Sequence, residues 1–170
     1  MIVNEKSRNR QLNRKITGEW STPKELFREL NKEFNFTLDA CAMTHNAKCK
    51  KFFSSAIDGL KQSWAGETVY CCPPSGVTEF KRWTQKAKAE AQKANTTVVM
   101  LLPVSTDSQW FKDNIYHQRG VTIRFLPSRV HFTNSITPSW VEGNREETYG
   151  SMRPSMLVIF SGSNAPFCVE

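Results

Sequence analysis

Apolar residues recur along this chain in two different rhythms. Leu26, Phe27, Leu30 and Phe34 fall three to four positions apart, the spacing of one helical face. TPKELFRELNKEF is therefore expected to be an amphipathic helix, with Ser21 or Thr22 as its cap, Pro23 as its first residue and Glu25 in its first turn. Short apolar runs follow, from Phe36 to Leu38 ending at Asp39, and from Thr68 to Cys71 stopped by Pro73-Pro74; both read as strands. From Thr78 to Lys93 the helical rhythm returns. Phe80, Trp83, Ala87, Ala91 and Ala94 share one face, while Lys81, Arg82, Lys86, Lys88 and Lys93 lie largely elsewhere as solvated surface.

TVVMLLP is a continuous apolar run of the kind found in fully buried parallel strands. STDSQWFKDNIYH predicts a third helix beginning near Asp107 or Ser108, and VTIRFLP alternates like a two-faced strand. Thr133 to Ser151 has no period, holds Pro138, Gly143 and Gly150, and reads as a long loop; PSMLVIFSG is a last apolar strand. This order predicts one α/β domain over residues 19–170, with a mainly parallel sheet closed by a C-terminal antiparallel hairpin.

Charge sharpens the picture. The net charge is +7, and the first 15 residues carry five basic side chains, Lys6, Arg8, Arg10, Arg14 and Lys15, against Glu5. Residues 1–18 are thus expected to form a flexible basic arm, either a phosphate-contacting element or a solvated tail. No apolar run approaches the roughly 20 residues of a membrane span, and the N-terminus has no signal-peptide core. The five cysteines include no CxxC pair, so neither a disulfide framework nor a metal site is expected, and a cytoplasmic setting fits the free thiols.

The chemistry-bearing positions lie at predicted strand tips, where open α/β sheets bind ligands. Asp39 can accept hydrogen bonds from a nucleoside-like ligand or cap a turn, and Asp58 has the same two roles open to it. Pro73 and Pro74 lack N–H groups, which fixes a rigid strand end with free carbonyls. No P-loop and no GxGxxG is present.

In sequence order the chain shows EWSTPKELF, FTLDACA, NAKC, DGL, W-x-G, x-PP-x-G and LLP-x-x-T-D-x-x-WF, then a late apolar strand. Together these resemble phage-type DNA N6-adenine methyltransferases over Glu19 to Phe160. The resemblance implies a Rossmann-like fold, S-adenosylmethionine as cofactor, DNA as partner, and a phage- or prophage-encoded enzyme working in a bacterial host cell. It assigns Trp20, Thr22 and Pro23 to a segment that helps hold the cofactor, Asp39, Ala40 and Cys41 to the cofactor-binding strand tip, and Asp58 to the adenosyl end. It assigns Cys72, Pro73, Pro74 and Ser75 to the catalytic motif. Arg145 and Tyr149, in the long segment, and the basic arm are the candidates for DNA contact.

The motif departs from the family pattern, which begins with Asn or Asp and ends with Tyr or Phe. In that scheme an Asx oxygen and a proline carbonyl accept the two N–H bonds of the adenine amine, while an aromatic ring stacks on the flipped base. A thiol is a weak acceptor, and a lost base-stacking contact is worth roughly 1–3 kcal/mol. Covalent catalysis by Cys72 is not expected, because cytosine C5 methyltransferases place their cysteine after the proline pair. Three readings remain: an adenine methyltransferase with an altered motif, a methyltransferase acting on another acceptor, and an inactive fold kept as a DNA- or partner-binding module.

Overall fold

A computed structural model of the chain describes residues 20–134, 148–151, 153–162 and 166–170. In chain order its elements are β1 (Trp20–Ser21), α1 (Lys24–Phe34), β2 (Leu38–Asp39), β3 (Lys51–Phe52), β4 (Thr68–Cys71), α2 (Val77–Glu90) and β5 (Thr97–Pro103). There follow α3 (Gln109–Asn114), β6 (Val121–Phe125), β7 (His131–Asn134), β8 (Thr148–Gly150), β9 (Ser155–Phe160) and β10 (Cys168–Val169). Seven strands form one sheet in the order β10-β6-β9-β5-β4-β2-β3, and β1-β7-β8 form a second, small one.

Alternation in the strands explains why the large sheet is buried on both faces. Val69 and Cys71 of β4, with Val98, Met100 and Leu102 of β5, join the cluster that includes Trp83 and Ala87 of α2. Tyr70, Val99 and Leu101 point the other way, into the cluster formed with Leu26, Phe27, Leu30 and Phe34 of α1. The helix α1 stops at Asn35, whose left-handed backbone (φ 55°) suits asparagine and returns its N–H to the Asn31 carbonyl.

The mostly parallel sheet agrees with the sequence. The expected hairpin forms, since β6 and β9 pair antiparallel with Val121 opposite Phe160. It is not appended to the sheet, however. β9 also pairs antiparallel with β5 along six residue pairs, so it is driven between two otherwise parallel-running strands.

Three local expectations need correction. Pro23 stands at the cap position with no side-chain cap, and the helix begins at Lys24; the Thr22 hydroxyl is instead engaged by Tyr70, a buried partner. The strand expected at Phe36 to Leu38 runs Leu38–Asp39, because its register comes from Val69 and Tyr70 of β4. The expected loop from Thr133 to Ser151 is not loop at its ends: Thr133 pairs with Thr148 and with Ser21, so β1, β7 and β8 close on one another.

The basic face of α2 is less solvated than its composition implies. Glu90 draws in Lys86 at 2.6 Å and Lys93 at 2.7 Å, and it also accepts the Trp64 backbone N–H at 2.8 Å. Arg82 pairs with Glu79, and Lys88 donates to Gln118.

Candidate active site

Strand order reverses between β2 and β4. From β2 the chain moves outward to the edge strand β3, whereas from β4 it moves through α2 to β5 on the other side. The carboxyl ends of these two parallel strands therefore frame the crevice in which open α/β sheets bind ligands.

Asp39 ends β2 and is 2% exposed. Its Oδ1 accepts the Cys41 N–H at 3.2 Å and its Oδ2 accepts the Lys48 N–H at 3.0 Å. The carboxylate thus folds residues 40–48 over the strand tip. Burial holds its carboxyl above the usual carboxylate range, against the pull of those two N–H groups. Lys48 is half-buried, and desolvation lowers its ammonium while the Asp39 charge works the other way.

Asp58 reaches the same tip through its neighbour. Gly59 packs so closely that a Cβ there would collide with the Ala40 carbonyl oxygen and stand 3.2 Å from the Trp83 ring. Asp58 itself sits in the left-handed region at φ 57° and turns the chain by accepting the Leu60 N–H at 3.2 Å. The Trp64 indole N–H donates to the Gly59 carbonyl at 3.0 Å and fixes the turn from below.

Beside this tip, β4 delivers Cys71, Cys72 and then Pro73. Cys71 is fully buried; Cys72 is half-buried on the opposite face, with Tyr70. The Tyr70 and Thr22 hydroxyls lie 2.6 Å apart, both groups being almost wholly buried. Burial pushes the Cys72 thiol up to about 11, the Thr22 and Tyr70 hydroxyls only partly opposing it. Desolvation likewise raises Cys41 and Cys71, and takes Cys49 to about 12. Cys41 and Cys72, which follow the tips of β2 and β4, are therefore neutral thiols.

Pro73 is buried, whereas Pro74 and Ser75 are exposed. None of the described loop hydrogen bonds ends on the Pro73 carbonyl, which is left free to accept. Gly76 follows at φ 140°, a backbone that other residues rarely adopt, and opens α2.

Thr22, Asp39, Ala40, Cys41, Asp58 and the Cys72-Pro73-Pro74-Ser75 run thus converge on one rim. Pro23 leads α1 away from it, and Trp20 lies in β1, paired with Asn134 of β7. Lys6, Arg8, Arg10, Arg14, Lys15 and Arg145 lie outside the described residues. No group of His, Cys, Asp or Glu suited to a metal ion occurs among the described residues, and none of their helices is long and apolar enough to cross a membrane.

Sequence reasoning missed Tyr70, Lys48 and Gly59. Tyr70 was reachable, because it stands two positions before Cys72 in a strand and so shares its face. The Gly59–Ala40 contact joins turns far apart in sequence, and no local pattern announces it.

Comparison with known proteins adds to this geometry. A family model described as DNA N-6-adenine-methyltransferase (Dam) matches residues 9–169. The chain is 34% identical over 151 residues to the DNA N-6-adenine-methyltransferase of Haemophilus phage HP1 (strain HP1c1), covering 87% of this chain and 80% of that protein. It is 32% identical over 96 residues to the DNA N-6-adenine-methyltransferase of Escherichia phage T1, covering 55% of this chain and 39% of that protein.

Proposed function

Because the chain belongs to the DNA N-6-adenine-methyltransferase (Dam) family, we propose that it transfers a methyl group from S-adenosylmethionine to N6 of adenine in DNA, using a Rossmann-like fold. The observation that carries this reading is the convergence of the β2 tip, the Asp58-Gly59 turn and the Cys72-Pro73-Pro74-Ser75 run where strand order reverses. Both relatives are phage proteins, which supports a phage or prophage origin.

The crevice fits such a cofactor by its donor set. Lys48 offers a half-buried ammonium for a carboxylate, Asp58 a half-buried carboxylate for hydroxyl groups, and the neutral thiols of Cys41 and Cys72 a soft, uncharged surface. Asp39 contributes mainly by shaping the 40–48 turn, since each of its oxygens already accepts a backbone N–H. When bound, S-adenosylmethionine supplies the electrophilic methyl group. The protein's task is then to hold a flipped adenine so that its amine lone pair faces that methyl.

Adenine's exocyclic amine is conjugated to the ring and is a poor nucleophile. The free Pro73 carbonyl can accept one N–H and rotate the lone pair out of conjugation. Cys72 stands where the second acceptor belongs, and as a neutral thiol it is a weak one. Ser75 offers no face for stacking. Those two positions lower the expected rate, each 1.36 kcal/mol of lost stabilisation being about tenfold.

Transfer of a labelled methyl group from S-adenosylmethionine into DNA tests the proposal, and absence of incorporation across varied duplexes would sink it. Cys72→Asn combined with Ser75→Tyr is expected to raise the rate at least tenfold by restoring an acceptor and a stacking ring. A second reading is favoured by the same two residues: an inactive fold retained as a DNA-binding module. Calorimetry separates the two, because an enzyme must show heat of cofactor binding and the module need not.

A further inference from the structure

Among the described residues, Arg129 and Arg153 stand at the same end of the sheet without a carboxylate partner. Residues 126–130, which follow β6, run alongside Ser151 and residues 153–155, which lead into β9. The Leu126 N–H donates to the Ser155 carbonyl at 3.0 Å, and the Ser151 N–H donates to the Val130 carbonyl at 2.9 Å. The resulting strap contains Arg129 and Arg153 and no acidic residue. It lies past the carboxyl end of β6, on the side of the sheet where β2 and β4 also end.

Arg153 is held in place. Its Nη1 donates to the Ser105 Oγ at 2.6 Å, and Ser105 is 8% exposed at the tip of β5, the strand next to β4. The Val104 N–H donates to the Pro154 carbonyl at 2.8 Å and locks the strap to that tip. Arg153 is nevertheless exposed, as is Arg129, and one hydrogen bond leaves most of the guanidinium fork unspent. Some cations elsewhere are paired, Arg124 with Glu33 and Glu170, Lys86 and Lys93 with Glu90, and Lys51 with Glu67, while others such as Arg28 and Arg119 are not, among the described residues; Arg129 and Arg153 differ in lying together on one strap at the carboxyl ends of the strands. Among the described residues neither Arg129 nor Arg153 has such a partner.

We propose that the strap bearing Arg129 and Arg153 grips the phosphodiester backbone of DNA beside the crevice. The proposal rests on the adenine methyltransferase reading. Extruding a base costs a few kcal/mol, and that cost is met by contacts that hold the strand on either side of it. A pre-oriented guanidinium matches a phosphate in two-point geometry, and a phosphate contact anchors the strand without reading its sequence. The fold therefore carries a DNA contact of its own, independent of the N-terminal arm.

Binding of the full chain to a duplex oligonucleotide, followed by fluorescence anisotropy across a salt series, tests this. Each lost phosphate contact flattens the dependence of log affinity on log salt by about 0.9. The Arg129→Gln/Arg153→Gln double variant is expected to lose nearly two units of slope and to bind roughly tenfold more weakly at low salt. Arg153→Lys keeps the charge and should retain the slope. Cofactor binding by calorimetry and the melting temperature should not move. Arg129 has no described side-chain contact, so Arg129→Gln alone gives a reading free of folding effects. Equal slopes in wild type and double variant overturn the strap while leaving the adenine reading intact; a wild-type chain that ignores DNA overturns both.

Discussion

Cys72 places a thiol beside the proposed methyl donor, and thiolates are far better nucleophiles than thiols. With its thiol pushed up to about 11, only about one molecule in ten thousand carries the thiolate at neutral pH. The residue would thereby be protected from alkylation by the proposed cofactor. Incubation with S-adenosylmethionine followed by intact-mass measurement should show no self-methylation near pH 7. The rate should rise about tenfold per pH unit above that and level off near 11. Thr22→Val should move the curve to still higher pH, because the Thr22 hydroxyl is one of the groups pulling the thiol down. Self-methylation as fast at pH 7 as at pH 9 would contradict the burial argument.

The elements around the crevice are short, and their positions depend on contacts between turns. Gly59→Ala forces a methyl group into the Ala40 carbonyl, so one of the two turns must move. Overpacking of this kind costs typically 1–3 kcal/mol, and here it also displaces the β2 tip. The variant is expected to lose cofactor affinity by a larger factor than its melting temperature alone suggests; unchanged affinity would remove the Asp58-Gly59 turn from the site. Glu90 governs the far end of α2. Its own burial disfavours the charge, but Lys86, Lys93 and the Trp64 N–H outweigh it and hold its carboxyl below the ordinary value. The stabilisation is therefore complete above the ordinary glutamate range and fades as pH falls through the lowered value. Glu90→Gln should cost about 3 kcal/mol in urea unfolding at pH 7 and much less near pH 3. Elements with their own pattern were legible in the sequence: β4 spans Thr68–Cys71 as its apolar run indicates, and β5 follows TVVMLLP. The two-residue strands β1, β3 and β10 were not, because two residues carry no period and take their register from a partner. At the site, the strand tips could be read from Asp39 and Pro73-Pro74. The hydroxyl pair and the glycine contact could not, since both join segments distant in sequence.

At the scale of the molecule, the crevice, the strap and the small sheet lie at one end of the large sheet, and β9 ties them together. It leaves the strap at Ser155, runs back through the sheet between β5 and β6, and ends at Phe160. Its position has a consequence for how the protein comes into being. The middle of the sheet is completed by a segment made after β5, β6 and every residue of the crevice. Until residues 155–160 arrive, β5 presents an open edge of six nearly continuous apolar residues to the cell. A nascent chain that already contains every residue of the crevice is still an unfinished sheet with a strand-sized gap. Such long-range closure is slow and exposed to aggregation. Completion of the large sheet therefore waits on how promptly β9 is threaded between β5 and β6.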